Sequence, residues 1–207
     1  MILRSVNRTK SRFLSILLIV AVGVGFLCGL VSTAPDMHLT ADKYYDDYRL
    51  FDIDIKGTSG LTDDDASALG ALDYVSQAMP ARVTDMSLDC NGESFVTRLY
   101  GVDLSLRGSD SFINDFELVE GRMPKNAGEC LIASPNGYTA SHNVGEVFTL
   151  TEPEADNGET YAFESLTVVG IVRCPQYMSV ESEPSTVGNG RVSVIMLSLI
   201  HISEPTR

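Results

Sequence analysis

The sequence predicts an α+β molecule in which one N-terminal transmembrane helix is followed by a mixed, strand-rich extracytoplasmic domain. Three observations predict it. Residues 13–34 form an uninterrupted apolar run with no formal charge. Beyond them, short segments of β-type composition are separated by turn dipeptides such as Asn91-Gly92. Finally, 44% of the 207 residues are hydrophobic and 21% charged, enough apolar material for a core and too much for a disordered or low-complexity chain. The implied partition is a basic stub over 1–12, the helix over 13–34, a folded body over 35–196, and a tail over 197–207.

The stub carries Arg4, Arg8, Lys10 and Arg12 and no acid, although the whole chain has a net charge of -13. The acidic body would repel a phosphate backbone, which argues against nucleic acid as a partner. Arg4, Arg8 and Arg12 are four apart, as on one side of an amphipathic helix lying on a membrane surface; the same charges serve equally as a topology signal. The apolar run, FLSILLIVAVGVGFLCGLVSTA, would be roughly 33 Å long as a helix, against about 30 Å for a bilayer core. It is apolar on all sides, unlike the striped helix of a soluble core. The positive-inside rule places Met1 in the cytoplasm and the body outside. A cleaved signal peptide is the competing reading, with Ser32 and Ala34 as small cleavage-site residues. Against it stand the length of the run and Pro35 directly after the would-be scissile bond. Gly25 and Gly29 make a G-x-x-x-G pair, with Gly23 as a third small position, the pattern that lets two membrane helices approach closely. Cys28 reads as a small apolar residue of the span.

Met37–Tyr48 has helical composition and extends the span, with Tyr44, Tyr45 and Tyr48 as interfacial aromatics. Phe51 to Lys56 alternates apolar and polar, predicting a strand with Phe51, Ile53 and Ile55 inward. Thr62 followed by Asp63, Asp64 and Asp65 predicts a capped helix to about Leu72. Further strands are expected over 82–88, 95–102, 129–133, 146–150, 161–173 and 191–196, with two or three short helices in all. Turns are expected at Asn91-Gly92, Asn136-Gly137 and Asp156–Gly158, and breaks at Gly121–Pro124 and Cys174-Pro175.

Catalytic and metal signatures are sparse. No G-x-x-x-x-G-K-[ST] loop is present, nor an H-E-x-x-H or a G-x-S-x-G elbow, and Ser59 reads as a turn residue. Asp52 and Asp54 read as a solvated polar face rather than a catalytic pair, since nothing apolar nearby would raise either pKa. Residues 152–159 are acidic but lack the D-x-[DN]-x-[DN]-G order of a calcium loop, which suggests an exposed hairpin tip. His38, His142 and His201 show no ligand spacing, and Cys90, Cys130 and Cys174 are odd in number and widely spaced. That pattern is neither a disulfide framework nor a zinc motif; one bridge plus one free thiol is compatible with it. No cofactor, metal or catalytic residue is expected.

Several stretches resemble the FtsX/MacB-type permeases of ABC transporters. Ser11-Arg12-Phe13 into Ala21–Phe26 and Thr33–Met37 is similar to their first membrane helix and its exit. Phe51-Asp52-Ile53 with Gly60-Leu61-Thr62-Asp64-Asp65 resembles the opening strand and helix of their extracytoplasmic domain. Val119–Pro124 with Glu129-Cys130 is similar to an EGR-x-P … E segment, and Val144-Gly145-Glu146 to a following turn. Val168–Tyr177 and Gly188-Asn189-Gly190 resemble a late strand and its exit loop. On this resemblance Gly121, Arg122, Pro124, Glu129, Gly170, Pro175, Gly188 and Gly190 are structural, with Arg122 paired to Glu120 or Glu129. The resemblance implies a non-catalytic subunit of the bacterial cell membrane. It would dimerise with a second permease copy, couple to a separate cytoplasmic ATPase, and move its outer domain, with transport or action on an extracytoplasmic partner protein as the result. Such a permease has at least four membrane helices, whereas residues 192–202 are too short to span. Leu197–Arg207, LSLIHISEPTR, resembles translated read-through of a sequencing adapter, so the genuine protein is expected to continue beyond about Met196. The alternative is a single-pass anchored binding or sensor domain, complete as written.

Overall fold

A computed structural model describes residues 10–57, 60–134, 142–151, 161, 163–177 and 182–199. The chain divides into two compact units, one ending at Asp47 and the other beginning at Tyr48. The expected stub helix over 1–12, the turns at Asn136-Gly137 and Asp156–Gly158, the acidic tip at 152–159, Ser59 and His201 all fall wholly or mainly outside the described residues.

The first unit is one helix, α1, over Lys10–Asp47. It contains the expected span and its extension, and it carries Pro35 in its interior. A mid-helix proline removes one backbone hydrogen bond. Thr33 Oγ1 donates to the Gly29 carbonyl at 2.8 Å and Thr40 Oγ1 to the Asp36 carbonyl at 2.8 Å, so the turns flanking Pro35 carry side-chain bonds of their own. Within the described residues this is the one helix long and apolar enough to cross a membrane.

The second unit opens with the short helix α2, Asp63–Gly70, where the expected capping box is complete. Thr62 Oγ1 accepts from the Asp65 amide, and the Asp65 carboxylate accepts from the Thr62 amide at 2.9 Å. Seven strands follow: β1 Arg82–Cys90, β2 Glu93–Val102, β3 Glu117–Gly121, β4 Glu129–Ala133, β5 Val147–Leu150, β6 Ser165–Arg173 and β7 Val194–Leu199. β1 and β2 form a hairpin through Asn91 and Gly92, at φ 53° and 87°, as its two-residue turn requires. The order is β3-β6-β4-β7-β2-β1-β5, and β5 pairs with β6 as well as β1. Six strands therefore close a ring of pairings, β5-β1-β2-β7-β4-β6 and back to β5, with β3 attached along the far end of β6. Such closure removes sheet edges that would otherwise stand open.

Alternation along the strands separates two cores. Met86, Leu88, Cys90, Leu99, Cys130, Ile132, Phe148, Leu166, Val168 and Met196 pack together on one face. Leu131, Ala133, Val169, Val172 and Leu197 pack on the other with Phe112, Phe116 and Tyr177. The parity switch in β6 comes from a bulge. Cys130 faces Val168 but Leu131 faces Gly170, leaving Val169 as the extra residue.

The structure corrects four expectations. Phe51 to Lys56 forms no strand, and Ile53 and Ile55 are exposed. Alternation specifies a face but supplies no hydrogen-bonding partner, and no described strand lies in register with this segment. The second unit holds one α-helix among the described residues, with the remaining helical turns confined to 3₁₀ segments at Leu104–Leu106 and Pro175–Tyr177. β3 was not expected, because its sequence ELVEG is short, acidic and largely exposed and shows no alternating pattern. β7 runs to Leu199, with Leu197 and Ser198 buried, so the expected boundary at Met196 falls inside a strand.

Candidate functional site

Three groups of residues stand out. The first is the glycine set of α1. A Cβ placed on Gly23, Gly25 or Gly29 would meet nothing within 4 Å. Gly25 and Gly29, about one turn apart, leave a shallow stretch of backbone open on one side of the helix, and Gly23 lies nearly opposite them.

The second is the corner between β3 and β4. Gly121 ends β3 at φ 83°, and a Cβ there would lie 2.3 Å from the Val169 carbonyl oxygen. Gly170 faces it on β6, where a Cβ would lie 2.8 Å from the Arg122 carbonyl oxygen and 2.9 Å from Leu131 Cδ2. Both positions need glycine, because two backbones cross there without room for a side chain. The crossing is fixed by the Arg122 amide, which donates to the Val169 carbonyl at 2.9 Å. Arg122 then grips Glu129 in a bidentate pair, Nη1 to Oε2 at 2.8 Å and Nη2 to Oε1 at 2.6 Å. The Lys125 amide donates to the same carboxylate at 2.8 Å. These bonds, Arg122 foremost, hold the Glu129 carboxyl down at about 2. Pro124 is buried inside this clasp. Pro175 is buried one residue after Cys174 and starts the 3₁₀ turn that ends β6. Gly188, at φ 56°, sits where a Cβ would approach Val96 Cγ2 to 2.7 Å, and Gly190 adopts φ 79° in the bend before β7. All eight residues thus occupy joints of the second unit, and Pro124 also lines a cavity with Leu104, Arg107, Met123 and Leu199.

A buried charge network supports the same sheet. Arg98 on β2 donates to both oxygens of Asp85, its cross-strand partner on β1, at 2.6 and 2.8 Å. It also bonds Glu183 and the Pro184 carbonyl, the latter at 3.0 Å. Burial works against the Asp85 charge, but the bonds from Arg98 and Ser185 and the positive charge of Arg98 together outweigh it and lower its pKa.

The third group was not legible in the sequence. Cys90, His142 and Glu146 bring one sulfur, one ring nitrogen and one carboxylate oxygen within 4.8 Å of one another. The 51 residues between Cys90 and His142 hide the proximity, which the β1–β5 pairing at Leu88↔Leu150 and Asp89↔Thr149 creates. His142 Nδ1 lies 2.9 Å from Glu146 Oε2, and Cys90 Sγ lies 3.8 Å from the same oxygen. The Asn143 amide side chain donates to Glu146 Oε1 at 3.1 Å. The His142 ring stands edge-on to Phe95 and Phe148, each centroid 5.0 Å away. Gly145 at φ 99° forms the turn between His142 and Glu146, and its amide donates to the Val168 carbonyl at 2.8 Å. All four cysteines are free, and burial pushes the Cys130 and Cys174 thiols up to about 12.

No protein-family model matches this chain, and no curated protein does. Among solved structures it is similar to the extracellular domain of the ABC-type transporter YknZ from Gram-positive bacteria, with 13% identity and a TM-score of 0.38, over 74% of this chain and 70% of that one. It is also similar to a permease-protein domain from Porphyromonas gingivalis, with 16% identity and a TM-score of 0.36, over 58% of this chain and 44% of that one. A third is the periplasmic region of MacB from Actinobacillus actinomycetemcomitans, with 16% identity and a TM-score of 0.34, over 73% of each.

Proposed function

We propose that this chain is the N-terminal part of an ABC-transporter permease subunit of the FtsX/MacB type. In this reading α1 crosses the bacterial cell membrane with its N-terminus in the cytoplasm. The second unit stands outside and moves when a separate cytoplasmic ATPase binds and hydrolyses ATP. The observation that carries the reading is the division of labour along the chain. An exposed, uncharged span continues as helix through Asp47, and the residues of the family-like segments then sit at the mechanical joints of the body. A body that transmits movement needs stiff corners, and Gly121, Gly170 and the Arg122–Glu129 clasp supply one. Gly25 and Gly29 give α1 a face on which a second membrane helix can pack closely, in the same chain or in a second permease copy, and Gly23 offers a small position on the opposite side.

The native protein is taken to continue past the region of Met196, because one span cannot form a permease domain. Whatever residues natively follow Met196 must still complete β7, where position 197 is buried and the Ser198 hydroxyl donates to the Glu129 carbonyl at 3.0 Å. The test is co-purification: the complete membrane protein, extracted in mild detergent, is expected to bring down an ABC ATPase. Recovery of a monomer with no ATPase would instead favour an anchored extracytoplasmic binding or sensor domain.

A further inference from the structure

The Cys90–His142–Glu146 cluster has a chemistry that the clasp, the glycine set and the proposed permease role leave unused. We propose that it is a zinc site. Thiolate, imidazole and carboxylate are the donors zinc prefers, whereas calcium and magnesium take oxygen donors. Tetrahedral zinc with bonds of about 2.0–2.3 Å sets its ligand atoms about 3.3–3.6 Å apart. The observed separations straddle that range: Cys90 Sγ to Glu146 Oε2 is 3.8 Å and His142 Nδ1 to Glu146 Oε2 is 2.9 Å. The third separation, between the Cys90 sulfur and the His142 nitrogen, is within 4.8 Å, so side-chain rotation is the adjustment needed to bring all three donors to bonding distance of one ion.

Charge and surroundings agree with this occupant. A thiolate and a carboxylate together neutralise a divalent cation, and binding releases the Cys90 thiol proton to solvent. Cys90 is buried at 3% exposure, while the side chains of His142 and Glu146 keep 12% and 19%. One side of the cluster is therefore open to a water as fourth ligand, the arrangement of zinc sites with three protein ligands. The ligands are held before any ion arrives, His142 by the rings of Phe95 and Phe148 and Glu146 by Asn143.

The position gives the site a consequence. β5 is four residues long, pairs with β1 through only Leu88↔Leu150 and Asp89↔Thr149, and is the strand that closes the ring. Cys90 belongs to β1, and His142 and Glu146 lie on the segment leading into β5. An ion held by the three would lock this seam and stiffen the second unit.

The experiment is a cobalt titration of the full chain in detergent micelles, with Co²⁺ as a spectroscopic substitute displaced by Zn²⁺. The expected result is one Co²⁺ per chain, with a near-ultraviolet thiolate charge-transfer band and the strong visible absorption of tetrahedral cobalt, both abolished by Zn²⁺. Cys90→Ser should remove the charge-transfer band, while Cys28→Ser, Cys130→Ser and Cys174→Ser keep it. His142→Gln and Glu146→Gln, checked for folding by circular dichroism, should weaken binding by roughly tenfold or more. Zn²⁺ should raise the unfolding temperature of the unaltered chain and not that of Glu146→Gln. Absence of a tetrahedral cobalt spectrum in the folded, reduced chain overturns the proposal, as does a thiolate band that survives Cys90→Ser or moves with Cys130→Ser.

Discussion

Glu129 accepts two bonds from Arg122 and one from the Lys125 amide, so removing its charge should loosen the whole β3–β4 corner. Its pKa stands at about 2 in the folded chain against an ordinary 4.5. The unfolded chain therefore takes up the proton first as acidity increases. The stability this carboxylate contributes is complete above about pH 4.5 and is lost as the pH falls toward 2. Thermal melts across that interval should show a shallower acid slope for Glu129→Gln than for the unaltered chain, and an unchanged slope would contradict the clasp. Asp85 acts in the same direction, so some slope remains in the variant. Arg98→Met takes the bidentate partner from the partly buried Asp85, which keeps its bond to Ser185, and should cost about 1–3 kcal/mol in denaturant unfolding. Gly170→Ala drives a methyl into the Arg122 carbonyl and Leu131 and should cost about 1–3 kcal/mol, whereas Gly23→Ala, in open space, should leave folding unaltered. Cys130 and Cys174 should resist maleimide in mildly alkaline buffer until the chain unfolds, because the thiolate is scarce and the sulfur inaccessible.

Among the elements, the sequence was most informative where a local signal and its structural cause coincide. The capping box of α2 and the Asn-Gly turn of the β1–β2 hairpin are complete within a few residues, and both are found where expected. β4 matches its expected bounds because a short apolar run buried on both faces has little else to become. The Phe51–Lys56 segment shows the opposite case, since its alternation is perfect but a strand exists only with a neighbour. β3 was illegible for the converse reason: β6 recruits it by pairing, and its own side chains contribute little burial. The Cys90–His142–Glu146 cluster was equally hidden, because its spacing along the chain is set by strand register and not by a motif. β5 is the short closing strand, and Phe148 is its one fully buried side chain. Phe148→Ala should therefore cost about 3–5 kcal/mol. Amide exchange should be faster in β5 than in the central strands β2 and β4, and equal protection across all three would show that the ring has no weak seam.

For the whole molecule, fold class and the place of the apolar helix were legible from composition and hydropathy, while closure of the sheet into a ring was not. Closure depends on β5 reaching both β1 and β6, a long-range arrangement that no local pattern specifies. The functional reading joins the two scales: a span suited to close helix packing, and a body whose corners are built to be stiff. It requires more membrane helices than α1. The measurement that tests this most directly is a long sequencing read of the source locus across codon 196. The account predicts an open frame that first completes β7 and then runs on into further apolar segments of about 20 residues each. A stop codon directly after Arg207 would contradict it and leave a single-span protein with an anchored binding domain.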